Sequence, residues 1–246
     1  MKKIFSGIVS AAFWLLLWEI IHLIVDQSIL VPSPLSVFER LLEFCLEKEF
    51  WLAVGSSLFR VISGLFIGTI LGAVLAAITA ENSFLRTLFA PALHIIKSTP
   101  VASFIILAIL WLSIEKVPVF TSLLMVLPSI WANTEKGILS VDRDLLQMGK
   151  AFGLSKKEIF LRITVPAVKP FFTAALKSAV GMAWKAGIAA EVICQNGISI
   201  GSALHDSKIY FETVDTFAWT AAIVILSVLL EKFILTVTVK GEKRHA

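Results

Sequence analysis

Charged residues are spread so thinly along this chain that they divide it into apolar runs about as long as a bilayer is thick. The runs lie near 4–25, 51–80, 85–114, 118–139, 168–193 and 215–239, and a helix needs about 20 mainly apolar residues to cross. Backbone in hydrocarbon must satisfy its own hydrogen bonds, which leaves helices as the natural spanning element. Of the 246 residues, 57% are hydrophobic and 16% charged, against about 45–50% and 25% in soluble domains. The expected fold is therefore an all-α membrane protein with about six transmembrane helices, a single domain over 1–246. The net charge of +4 does not point to nucleic acid, because the basic residues follow membrane sidedness.

Local patterns refine each run. The first resembles a secretory leader but is too long for one and lacks a small-x-small cleavage site, so it reads as a retained span. Next, Ser33 and Pro34 form a helix start. Leu35, Phe38, Leu42 and Cys45 recur on one face of that helix and Glu39, Glu43 and Glu47 on another, which predicts an interfacial amphipathic helix on the outer side. The second span carries Gly64, Gly68, Gly72, Ala76 and Ala80, a small-residue stripe that lets another helix approach closely. Arg60, one turn earlier, either snorkels or pairs with an acidic residue. The third span is broken by Pro91 and Pro100 around Lys97, which places His94 to Val101 beside a pathway or at its mouth. Cys45 and Cys194 have no metal-ligand spacing and read as free thiols.

Sidedness orients this layout. Lys2, Lys3, Arg86, Arg143, Lys150, Lys156, Lys157, Arg162, Lys240, Lys243 and Arg244 fall on one side, and only Arg40, Lys48, Lys116 and Lys208 on the other. The positive-inside rule then puts both termini and the central loop in the cytoplasm of a multi-pass protein.

That central loop, Asp142 to Pro170, is the longest polar stretch between spans. Asp142 is a natural N-cap. Leu145, Met148, Gly149 and Phe152 share one helical face, and Gly153 breaks the helix at a φ that only glycine takes cheaply. Ser155 and Glu158 form a capping box that starts a second helix. Ile159, Phe160 and Ile163 give it an apolar side, and Pro166 is expected to end it. The result is a compact helical knob with an apolar ridge and a basic rim. The fifth span holds Lys177, Trp184, Lys185 and Glu191. Intramembrane charges face a bundle interior or a wet cavity, so Glu191 either pairs with Arg60 or lines a path. The loop 194–214 is expected to dip back as a short helix; His205 and Asp206 do not make a metal site, and His22 and His94 are isolated. No G-x-x-x-x-G-K-[ST] occurs, and no nucleophile–base, zinc or paired-carboxylate arrangement stands out. The chain is not expected to be an enzyme or to hold a cofactor.

The central loop resembles the "EAA" loop of permease subunits of bacterial ABC importers, E-A-A-x-x-x-G followed after nine residues by I-x-L-P. Gly153, Ile163 and Pro166 match in spacing, Val165 stands for the Leu, and Gln147, Met148 and Gly149 replace Glu-Ala-Ala. VPSP before the amphipathic helix, A-W-K-A-G-I-A-A-E in the fifth span and the G-I-S-I-G position after it resemble the sulfonate, taurine and nitrate branch. The resemblance implies the type I importer permease fold, with 142–166 as a cytoplasmic coupling helix. Leu145, Gln147, Met148, Gly149, Phe152, Gly153, Leu154, Ile163 and Pro166 would then couple to a separate ABC ATPase, which carries the ATP and magnesium. It further implies an extracytoplasmic substrate-binding protein, a second permease copy, surrounding lipid of the inner membrane, and alternating access. Lys97, Pro100, Trp184, Lys185 and Glu191 are the translocation-path candidates. Lys97 and Lys185 favour a small anion; Trp184 and Trp111 suit a flat ring, such as a heterocyclic vitamin precursor. The alternative is an ion-coupled secondary transporter with Glu191, Lys185 and Glu135 as a proton relay.

Overall fold

The structure is a computed structural model that describes residues 2–243, with side chains described at residues 7, 9–234 and 236. The basic side chains read as marking both ends, Lys2, Lys3, Lys240, Lys243 and Arg244, lie outside the described ones. Among the described residues every regular element is helical. In chain order these are α1 (Lys2–Val25), α2 (Pro34–Leu46), α3 (Lys48–Glu81), α4 (Ser83–Ser98), α5 (Val101–Trp111), α6 (Val117–Leu139), α7 (Arg143–Ala151), α8 (Lys156–Ile159), α9 (Val165–Cys194), α10 (Ile200–Ile209) and α11 (Thr213–Lys243). A 3₁₀ turn, Ile114–Lys116, precedes α6, and a π turn, Phe160–Thr164, joins α8 to α9.

Among the described residues, four stretches are long and apolar enough to cross a membrane: Lys48–Glu81, Ile114–Leu139, Lys156–Cys194 and Thr213–Ile234. The broken third run is the pair α4 and α5, bent by 107° at Thr99–Pro100. The described apolar part of the first run, Val9–Val25, is a shorter helix.

The chain forms two compact units, residues 1–57 with 195–226, and residues 58–194 with 227–246. The first unit gathers α1, α2, α10 and parts of α3 and α11. Trp18 Nε1 donates to Pro32 O at 3.1 Å, and His22, unremarkable in the sequence, has Nδ1 2.7 Å from Val31 O. A carbonyl can only accept, so that nitrogen carries the proton. Both contacts fold the 27–33 turn back onto α1. In α2 the expected apolar face, Leu35, Phe38, Leu42 and Cys45, is exposed, as a face in contact with lipid would be. A third face, Val37 and Phe44, is buried instead, and Phe44 packs on Phe50 and Trp219. Arg40 lies over the Phe44 ring and makes a two-pronged pair with Asp215 at 2.8 and 2.9 Å. Its hydrogen bond to Asp215 raises the Arg40 pKa beyond its ordinary value despite partial burial.

The second unit is built on close helix approach. A Cβ at Gly64 would overlap Val119 O and lie 2.7 Å from Ser122 Cβ. At Gly68 it would lie 2.9 Å from Leu123 O, and at Gly72 3.0 Å from Leu127 O. The stripe therefore seats α6 directly on the α3 backbone, and Ala76 continues it against Leu127 and Trp131. On its other side α6 packs along α9: Gly137 faces Phe171, and Ser122 Oγ donates to Ala183 O at 3.0 Å. Gly187 of α9 admits both Ser122 and Val61, so α3, α6 and α9 meet at one point.

Candidate functional site: a capped helical knob and a cleft at a broken helix

The knob at 142–164 is fixed by its own short-range bonds. Asp142 caps α7 by accepting from Asp144 N at 2.8 Å. Gly153 takes φ +75°, and Leu154 N returns to Gly149 O at 3.0 Å. Ser155 Oγ accepts from Glu158 N, while Glu158 accepts from Ser155 N at 3.0 Å and Ser155 Oγ at 2.8 Å, a complete capping box. These bonds from Ser155, with Arg162 3.9 Å away, lower the Glu158 pKa. Gly149 is buried because Ile163, Ile159 and Leu154 close over it, pinning the two short helices together. Leu145, Met148 and Phe152 stay outside, Phe152 at 78% exposed, and Gln147 is also exposed. Exposed apolar ridges on polar segments mark protein or membrane interaction sites.

Pro166 does not end the second helix. α8 runs through the π turn into α9, and Val165 N bonds Phe160 O, five residues back. Proline removes one helical donor and crowds the preceding turn. A π turn widens the helix just where that crowding falls, so the chain continues without a stop. Pro166 and its neighbour Val165 are exposed, and Ile163 is half-buried.

The path candidates do not fall together. Lys97 and Pro100 line a cleft of about 590 Å³ at the break between α4 and α5, closed on the far side by Met125, Pro128, Asn133 and Ser178 of α6 and α9. Among the described residues Lys97 has no carboxylate within pairing distance. Lys185 is exposed elsewhere on α9. Trp184 and Glu191 are buried, at 1% and 0% exposed. Glu191 Oε1 accepts from Arg60 Nη1 at 3.2 Å, an ion pair between α3 and α9 beside the Gly187 junction. Glu135 has a cation too, with Arg86 Nε 3.2 Å away, while Arg86 also donates to Thr79 O and Ala80 O at the end of α3. In the 194–214 segment, Ser199 caps α10 by accepting from Ser202 N at 3.0 Å. His205 Nε2 lies 2.6 Å from Gln195 Nε2. No cluster of three metal-ligating side chains occurs among the described residues.

Sequence reasoning missed the polar side of the cleft, Ser129, Asn133 and Ser178. Nothing in the local spacing of these residues marks them; only the packing of α6 on α9 places them opposite Lys97.

A family model described as "Binding-protein-dependent transport system inner membrane component" matches residues 64–238, well over half of the chain. The chain belongs to that family. It is a permease of the ABC importer type: an inner-membrane, multi-pass subunit of a family that works with ATPase and substrate-binding partners. Among its relatives, a probable ABC transporter permease of Brucella melitensis is 28% identical over 209 residues, covering 84% of each chain. A nitrate import permease of Synechocystis is 24% identical over 245 residues, covering 94% of this chain and 87% of that one. The permease fold also resembles the crystal structure of an amino acid ABC transporter. The TM-score is 0.60 at 14% identity, over 76% of this chain and 90% of that one.

Proposed function

We propose that this chain, as one permease domain over 1–246, forms the translocation pathway of an ATP-driven importer for a small oxyanion of the nitrate or sulfonate kind. Two copies pair in the membrane, with the termini and the knob in the cytoplasm. A separate ATPase subunit, carrying the ATP and magnesium, seats the knob in a groove. A binding protein delivers the solute on the opposite side. Closure of the ATPase dimer carries the knob, and the tightly packed helices tilt between two access states.

One observation carries this reading: Leu145, Met148 and Phe152 stand exposed on a segment held rigid by two caps and a buried Gly149. Rigid, exposed apolar anchors dominate interfaces. The anion is favoured by Lys97 in the cleft and by the nitrate-importing relative. Of the two tryptophans that would suit a flat ring, Trp184 is buried, and Trp111 is exposed but does not line the Lys97 cleft. The proton-relay alternative finds no support, because Glu191 and Glu135 each face a guanidinium.

The test is Phe152→Asp in the complex purified with its cognate ATPase subunits. Phe152 touches little within the chain, so the variant should fold and run as a homogeneous species. A central anchor contributes about 2 kcal/mol or more to an interface, so ATPase binding should weaken by about 30-fold or more and uptake should stop. Unchanged binding and uptake would remove the knob from the coupling interface.

A further inference from the structure

A second cavity, of about 270 Å³, lies behind the π turn. Its walls come from Ala73 and Ala77 of α3, Thr134 and Ile138 of α6, Phe160 and Thr164 of the turn, and Val168, Lys169 and Phe172 of α9. Each helix contributes residues near the end that faces the knob: Ala77 is one turn from Glu81, Ile138 precedes Leu139, and Lys169 is one turn into α9. The cavity therefore sits at the edge of the hydrocarbon, where acyl chains meet headgroups.

A single cation joins these apolar walls. Lys169, among the lining residues, has no carboxylate within pairing distance among the described residues. Water is a poor occupant, because it needs two to four polar partners and these walls are mainly alanine, valine, isoleucine and phenylalanine.

We propose that the cavity holds one acyl chain of an anionic phospholipid. Its phosphate rests on Lys169. The chain lies against Phe160 and Thr164, so it fills the space beside the turn that joins the knob to α9. Basic pockets between membrane helices are known to take anionic headgroups; here the apolar room and the cation occur together. The inference requires only that the chain lies in a bilayer and is independent of what is transported.

The test is lipid retention, read by native mass spectrometry on the assembled complex. The complex is released from nanodiscs of phosphatidylcholine with phosphatidylglycerol. Wild type should keep one phosphatidylglycerol per chain after other lipid is stripped. Lys169→Gln should reduce the preference for phosphatidylglycerol about five-fold, the effect expected of one basic residue at a membrane surface. Ala77 is exposed, so Ala77→Phe should fold and block the groove, abolishing retention of both lipids. Equal retention by wild type and Ala77→Phe, or no preference for phosphatidylglycerol in wild type, overturns the proposal. So does an Ala77→Cys cross-link between copies, which would make a second copy of this chain the occupant.

Discussion

The glycine stripe on α3 makes a quantitative prediction with its own control. Replacing glycine by alanine inside a helix normally gains about 1 kcal/mol from backbone entropy. Gly64→Ala should lose that gain and more. Its Cβ would overlap the Val119 carbonyl oxygen, which is backbone and cannot rotate aside, and would lie 2.7 Å from Ser122 Cβ. The helices would have to part, and overpacking of this kind costs about 1–3 kcal/mol. Gly181, in the interior of α9, has nothing within 4 Å of its missing Cβ. Gly181→Ala should therefore keep the full gain.

The propensity term cancels between the two variants, so their difference isolates the overlap: about 1–3 kcal/mol, or roughly 2–12 °C in Tm at about 2–4 °C per kcal/mol. Gly72→Ala should fall between them, because its contacts with Ile130 Cβ and Leu127 O are both at 3.0 Å. Thermal unfolding of the three proteins in one detergent measures this order. If Gly64→Ala melts at or above Gly181→Ala, α3 and α6 do not approach this closely in the folded protein.

Three further outcomes are expected. Arg60→Leu leaves Glu191 buried without its cation and should destabilise by about 3–5 kcal/mol, while the Arg60→Leu/Glu191→Leu double variant recovers most of that loss; a double-mutant cycle in Tm checks it, and additivity would refute it. Because the Glu158 pKa is lowered in the fold, its contribution to the capping box is present above the unfolded carboxylate value and lost as pH falls through the lower folded value; protease cleavage at 155–160 should rise as the pH is taken below the ordinary glutamate range, and Glu158→Gln should flatten that profile. Cys45 is exposed on α2 and Cys194 is buried, so a maleimide should label Cys45 in the folded, detergent-solubilised protein and Cys194 only after unfolding; equal labelling of both before unfolding would refute the burial of Cys194.

What the sequence made legible was local. Asp142, Gly153, and Ser155 with Glu158 act within one turn of chain, so their spacing states their bonds, and the structure contains every one. The stripe from Gly64 to Ala76 was readable because a four-residue period in small side chains has one geometric use. Contacts between helices left no such trace. Nothing in α2 says that Val37 and Phe44 face inward while Leu35 and Phe38 stay outside. Periodicity admits two apolar faces on one helix, and only the aromatic cluster with Phe50 and Trp219 chooses between them. The cleft was half readable for the same reason. Pro100 announced the break beside Lys97, but Asn133 and Ser178 belong to other helices.

The misreading at Pro166 bears most on mechanism. A helix that stopped there would leave the knob on a flexible tether, free to follow a partner without moving the spans. The π turn instead carries the chain from α8 into α9 with no interruption, and α9 is locked to α6 at Gly137 and Ser122, and to α3 at Gly187 and through the Glu191–Arg60 pair. Each of these contacts is too close to slide gradually, and tightly packed interfaces of this kind change by switching between discrete arrangements. Force applied to Phe152 thus passes from α7 through the contacts of Gly149 with Ile159 and Ile163, and from there one continuous helix carries it to the wall of the Lys97 cleft, which is the mechanical condition that the proposed coupling requires.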